Sequence, residues 1–252
     1  MTVEILTSDM LLPVRHGFFT RRGGASSGVF EGLNCGYGSS DQTEIVTINR
    51  NRVAKAMGVA SDYLASVHQV HSATVVTFDG ATNQEPDKAD AIVTATPGVC
   101  LTILTADCQP VLFVDTTAGV IGAAHAGWKG AIGGVLEATI DGMIALGARR
   151  QDIRAAIGPS ISQTAYEVGP DFLETFLDDD PENTRFFAGG SGDRVQFDLP
   201  AYGLHRLRNA DIGGAEWTRH CTYSDPERFF SYRRSVHAQE ADYGRLIAAI
   251  CL

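Results

Sequence analysis

Residues 90 to 124 read as three or four short apolar runs, AIVTA, VCLTILTA, PVLFVD and GVIGAAHA, separated by turn residues. Runs of this length without polar alternation predict strands covered on both faces, and hence a layered fold with helices outside. Pro110 stands where a strand would begin, a position that tolerates its missing N–H. Upstream, SVHQVHSATVVTFD over 66–79 is rich in β-branched residues and alternates, predicting a further strand. His68 and His71 are three apart, so on a strand they point to opposite faces and only one can face a common site.

A helical period takes over elsewhere. Asp41 predicts an N-cap, with Glu44 three residues on, for a helix with Ile45, Ile48 and Val53 on its apolar face and Gly58 at its end. After HAGWKG, the residues Ile132, Val135, Leu136, Ile140 and Met143 predict one helix that closes at Gly147. GPDFLETFLD predicts a helix with Pro170 at its first position, another opens at Pro200, and QEADYGRLIAAICL predicts a terminal helix. IRAAIGPSIS and VQFDL are expected as strands, and residues 178–194, polar and turn-rich, as an exposed excursion within one fold. Residues 15–38 predict a strand around Gly17 to Thr20 that runs into a glycine-rich loop with Arg21, Arg22 and Asn34, either a ligand loop or plain surface. No internal repeat interrupts this order, so the expected unit is one domain spanning 1–252.

The 252 residues suffice for a full hydrophobic core, and 44% hydrophobic content with 20% charge is ordinary for a soluble protein. A net charge of −10 argues against a general nucleic-acid binder, although a local basic pocket for small anions remains compatible with it. No stretch approaches a membrane span, and the opening MTVEILTSDMLLPV lacks a basic region followed by a long apolar one, so no membrane association and a cytoplasmic location are expected. The five cysteines, Cys35, Cys100, Cys108, Cys221 and Cys251, are odd in number and scattered, which favours free thiols.

The candidate chemistry gathers in TADCQPVLFVDTTAGVIGAAHAGWKG, residues 105–130, with Asp107 and Cys108 at one end and His125 at the other. A thiolate with two imidazoles, Cys108, His125 and His71, is a sufficient set of ligands for zinc, and three protein ligands leave a fourth tetrahedral position open, the catalytic pattern. Asp107 lies between apolar runs and is costly there unless paired or functional. It is the candidate general acid or base, or, on the other strand face, a supporting group. Lys129 at the helix start and Arg50 on the first helix are candidate anion contacts, against the plainer reading of solvated surface charges. Trp128 is either a stacking surface for a flat ring or a core anchor.

HGFFTRRGG, GLNCG, the H-Q-V-H segment, TADCQPVL, HAGWKG, GPSIS, AYEVG, FDLP and SYRR together resemble the laccase-domain family, also called the YfiH-type or multicopper polyphenol oxidase family, over about residues 15 to 245. ADCQPVL and HAGWKG are the most specific of these motifs. The resemblance implies an α+β fold: a single domain of packed mixed β-sheets with helices on the outside, similar to the catalytic domain of cysteine-dependent deamidating toxins. It also implies metal ligation by His71, Cys108 and His125, the set reached from the chemistry of the residues. Ser162, Gln163 and Thr164 depart from the more usual run after GPSI, away from those ligands.

Members of the family are regarded as purine nucleoside phosphorylases. The resemblance therefore implies phosphate-dependent cleavage of adenosine, inosine, guanosine and methylthioadenosine to base and ribose 1-phosphate, with Zn2+ as cofactor, Cu2+ as an alternative, and a monomer or homodimer acting on nucleoside and phosphate. Some members are also said to deaminate adenosine, and a zinc ion with an open position can activate water for attack on purine C6. A multicopper oxidase fits poorly, because seven histidines include no H-x-H pair. A Cys108/His125 amidase acting on a peptidoglycan-precursor peptide is the runner-up, with no obvious part for His71. A non-catalytic binding module is the third reading. The H-x-E and P-C-x-x-C motifs of zinc nucleoside deaminases do not occur.

Overall fold

A computed structural model describes residues 2–80 and 87–252. The apolar runs become strands buried on both faces because two sheets stack against each other and each carries helices on its far side. The first sheet has the order β1-β2-β14-β6-β3, with β1 (Ile5–Leu6), β2 (Arg15–Phe19), β3 (Leu64–Ala65), β6 (Cys100–Thr105) and β14 (Leu246–Cys251). The second has the order β13-β9-β7-β8-β5-β4, with β4 (Val75–Thr77), β5 (Ala91–Thr94), β7 (Gln109–Asp115), β8 (Val120–Ala126), β9 (Arg154–Ile157) and β13 (Gly214–Trp217). Both mix parallel and antiparallel pairings. Strand β7 shows why alternation is missing from the sequence. Val111 and Phe113 pack with the helical residues Leu136, Ile140 and Met143, whereas Leu112 and Val114 pack with Leu101, Ile103, Ala248 and Ile250 of the first sheet. Each such fully buried aliphatic or aromatic side chain contributes about 1.5–3 kcal/mol.

The outer layers are helical. Helix α1 (Thr43–Ala56) sets Val53 and Ala54 against Phe19, Cys100, Ile247 and Ala249 on the far face of the first sheet. Helix α2 (Trp128–Ile132), helix α3 (Val135–Ala145) and α5 (Leu199–Asn209) cover the second sheet. Helix α4 (Pro170–Asp179) joins a small third sheet of β10 (Glu167–Val168), β11 (Phe187–Gly189) and β12 (Val195–Phe197), and a short helix α6 (Tyr232–His237) precedes the last strand. The fold is the mixed α+β arrangement expected from the sequence. No helix among the described residues is long and apolar enough to cross a membrane.

Five expectations are corrected. Of residues 66–79, only Val75–Thr77 is strand; His68 and His71 lie before it in irregular backbone, and His71 takes a left-handed φ of 61°. The expected terminal helix is β14, bonded to β2 on one side and β6 on the other. Its six residues are all buried, so neither a strand nor a helix period shows in them. The single helix expected after HAGWKG breaks into two at Gly133 and Gly134, where Gly134 has φ 89°. The first helix is capped by Gln42, because the Asp41 carboxylate is taken by Ser26 Oγ at 2.6 Å and Asn34 Nδ2 at 2.9 Å. Cys100 and Cys251 are not free thiols. They face each other across the β6–β14 pair and form a disulfide, leaving Cys35, Cys108 and Cys221 free. The 178–194 excursion is also anchored more firmly than its polarity implies, since Asn183 and Phe186 are buried and the Phe186 ring lies 5.3 Å from that of Tyr202.

Candidate metal centre

One buried carboxylate organises the site. Asp90 stands immediately before β5 with no solvent exposure. Its Oδ1 accepts from the His71 N–H at 2.9 Å and from His125 Nδ1 at 2.8 Å. Its Oδ2 accepts from the Ser72 N–H at 2.6 Å, Ser72 Oγ at 2.8 Å and the Val70 N–H at 3.2 Å. The segment 70–72 is therefore wrapped around a carboxylate in place of sheet pairing, and the left-handed φ of His71 follows from that wrapping. Burial alone would raise the Asp90 pKa, but the bonds from His125 and Ser72 outweigh it and hold the carboxyl well below its usual range. An ionised carboxylate only accepts, so Nδ1 of His125 carries a hydrogen and Nε2 is the atom turned to the site, free to bind a metal once its own proton is displaced.

His125 comes from β8, which ends one residue later, and Cys108 directly precedes β7; the β7–β8 pairing brings these strand ends together. The ligand atoms of His71, Cys108 and His125 all lie within 4.8 Å of one another. His71 Nε2 is 4.0 Å from Cys108 Sγ, and the two imidazole rings meet edge-on with centroids 4.7 Å apart. Tetrahedral zinc holds such atoms about 3.5 Å apart, so a small contraction makes the set fit. Gly127 supplies the room: a Cβ there would sit 2.9 Å from Cys108 Sγ and 3.0 Å from His71 Cδ2. Burial pushes the Cys108 thiol up, but the His125 imidazole beside it, with hydrogen bonds from both histidines, brings it down to about 7. For His125 burial acts downward, and the Cys108 thiolate and Asp90 carry it up to about 9. A thiolate and oriented imidazoles are the donor set that suits zinc, and also copper.

The donors stand at a cavity of about 400 Å³, within the range of small-molecule sites. His71, Cys108 and His125 share its wall with Arg50, Arg245, Tyr37 and His68. The other sequence candidates are placed unequally. Arg50 lies on this wall, buried to 8% exposure, in contrast to a solvated surface charge. Asp107 is not part of the wall. It is buried, with φ 86°, and accepts from Thr222 Oγ at 2.6 Å, the Arg233 N–H at 2.6 Å and Ser231 Oγ at 2.9 Å, so its carboxylate ties the 222–233 segment to the residue before Cys108. Lys129 is exposed on α2, outside the cavity, with its ammonium 5.4 Å from the centre of the Trp128 ring. Trp128 packs on Phe172 and Phe176 in the core beneath α4.

Sequence reasoning missed Asp90, Gly127 and Arg245. Asp90 shows the same signal that drew notice to Asp107, a charge at the mouth of an apolar run, in KADAIVTA. Gly127 and Arg245 carry no such mark, because only the assembled fold shows what they approach.

Comparison with known proteins gives the chain's relatives. The family described as multi-copper polyphenol oxidoreductase laccase matches residues 15–252. A purine nucleoside phosphorylase of Deinococcus radiodurans is 41% identical over 248 residues, covering 96% of this chain and 90% of that protein. A purine nucleoside phosphorylase of Pseudomonas aeruginosa is 37% identical over 91% of this chain and 93% of its own. Among solved structures, a protein of Neisseria meningitidis superposes with a TM-score of 0.89 at 34% identity, covering 100% of this chain and 99% of that one. YlmD of Geobacillus stearothermophilus superposes with a TM-score of 0.90 at 27% identity, covering 100% and 96%.

Proposed function

Because the chain belongs to the family of multi-copper polyphenol oxidoreductase laccases, and similar relatives carry the name purine nucleoside phosphorylase, we propose that it cleaves purine nucleosides with phosphate. Adenosine, inosine, guanosine and methylthioadenosine are the substrates, and base and ribose 1-phosphate the products. The observation that carries the phosphate half of this reading is Arg50. Its guanidinium is buried on the cavity wall and makes only long bonds, 3.3 Å to the Cys35 carbonyl and 3.4 Å to Ser66 Oγ. Among the described residues it forms no ion pair. A buried cation without a counter-charge is costly, and a phosphate in the cavity supplies one. Arg245, paired only at 4.0 Å with Asp242, adds a second cation to the same wall.

His71, Cys108 and His125 would hold a zinc ion, with Asp90 orienting His125. Bound there, zinc supplies Lewis acidity, polarising a substrate oxygen and making water a better nucleophile at neutral pH. The second property supports adenosine deamination as a side activity. The protein's own residues do the rest: Arg50 and Arg245 fix the phosphate near the sugar carbon.

One observation favours a second reading. Cys108, His125 and Asp90 stand in the order thiol, imidazole, carboxylate, and the thiol is lowered to about 7, as in a cysteine amidase acting on a peptide. His71 has no part in that scheme. A copper-dependent polyphenol oxidase has less support, since among the described residues one cluster of ligands is found where such enzymes hold several coppers.

The test incubates zinc-loaded protein with inosine or adenosine, with and without phosphate, beside Cys108→Ala. Phosphate-dependent release of hypoxanthine and adenine, reduced at least about 10²-fold in the variant, is expected. Nucleosides left intact by protein shown to carry zinc would overturn the reading, and activity towards peptides that survives zinc removal would put the amidase in its place.

A further inference from the structure

Among the described residues, the cavity wall holds one imidazole that neither the metal centre nor the phosphate site uses. His68 lines the cavity together with His71, because residues 66–71 form no strand to send them apart. It is outside the cluster of His71, Cys108 and His125. Its main chain is held on both sides, the N–H donating to the Asp87 carbonyl at 2.9 Å and the carbonyl accepting from the Ala89 N–H at 3.2 Å. Its ring makes no hydrogen bond among the described residues and is exposed at the cavity mouth, open to an incoming ligand.

Resting on the phosphorolysis reading, we propose that His68 is the proton donor to the departing purine base. A purine leaves C1′ slowly as an anion and readily once N7 is protonated, so the cavity needs an acid. The other groups on the wall are committed or unsuited. Among the described residues no carboxylate lines the cavity, since Asp90 and Asp107 are outside it and fully hydrogen-bonded. Arginine keeps its proton at neutral pH. Gln69 spends its amide on Leu104, donating to the carbonyl at 2.7 Å and accepting from the N–H at 2.9 Å. The Tyr37 hydroxyl is bonded to Thr47 Oγ at 3.1 Å, and the Tyr243 ring lies against Arg245. Imidazole is the side chain that carries and gives up a proton between pH 5 and 8.

The step balances. A hydrogen phosphate oxygen forms its bond to C1′ as the C1′–N9 bond breaks, and the pair of that bond passes into the purine ring. The His68 imidazolium gives its proton to N7, so the base leaves neutral. The ribose 1-phosphate formed still carries the phosphate proton and can return it to the imidazole.

Inosine and 7-methylinosine separate this role from a structural one, because the methylated base is already cationic and leaves without a proton. His68→Gln and His68→Asn, with zinc content matched to the parent protein, are expected to lose at least about 10²-fold in kcat/KM on inosine with phosphate and to stay within about threefold on 7-methylinosine. Full activity of either variant on inosine, or an equal loss on both nucleosides in both variants, would overturn the role of His68 while leaving phosphorolysis intact. Failure of the parent protein to cleave either nucleoside with phosphate would overturn both.

Discussion

At the scale of single residues, the metal centre is decided as much by an absence as by its ligands. Gly127 has an ordinary φ of −68°, so what the position demands is space for Cys108 Sγ and His71, not conformational freedom. Gly127→Ala should leave the metal-free fold within about 1 kcal/mol of the parent. It should weaken zinc binding at least about tenfold, as read by competition with a chromophoric chelator. The charges of the ligands set the response to pH. With Cys108 near 7 and His125 near 9, the coupled pair holds one proton between those values, on the imidazole. Zinc must displace it, so binding releases one proton from the pair between pH 7 and 9, two below 7 and none above 9. Zinc affinity then rises about tenfold per pH unit across that window, which calorimetry in buffers of different ionisation enthalpy checks. The three ligands were legible in the sequence because their side chains name their chemistry. Asp90, which binds no metal, showed only as a misplaced charge, and the placement of Lys129 outside the cavity showed not at all.

At the scale of elements, strands with uninterrupted apolar sequence were legible and their position in the sheets was not. LIAAIC carries alanines and leucine suited to a helix, yet it becomes the middle strand of the first sheet because β2 and β6 offer it hydrogen-bond partners on both edges. Propensity lost to tertiary pairing there. Although Ile250 lies two residues from the end of the described chain, its side chain is fully buried between the sheets with Leu101 and Ile121. Ile250→Ala should therefore cost about 2–5 kcal/mol, a core-sized loss, seen as a lowered urea midpoint without a change in slope. Residues 66–72 failed in the opposite way. Their β-branched residues read as strand, but the backbone turns to satisfy Asp90, and beyond an isolated bridge between His68 and Lys88 only Val75–Thr77 pairs as a strand. That failure is what lets two histidines share one cavity.

At the scale of the molecule, the layers could be foreseen from the buried runs, whereas the cavity could not, because it is assembled from distant stretches. Arg50 comes from α1, His68 and His71 from a connection, Leu104 and Thr105 from the end of β6, His125 from the end of β8, and Arg245 from the residue before β14. The wall thus takes residues from both sheets at one edge of their seam, and no window of the sequence contains it. Asp90 is the point where these parts meet: it steadies a connection, a ligand and the entry to a strand with one carboxylate. Considered as a path through sequence space, such a position offers no halfway step. Asparagine puts an amide donor where every partner already donates, glutamate overreaches by a methylene, and either change disturbs all three tasks at once. A lineage could alter the cavity wall residue by residue and so change its substrates, but it would gain or abandon this metal centre in a single move.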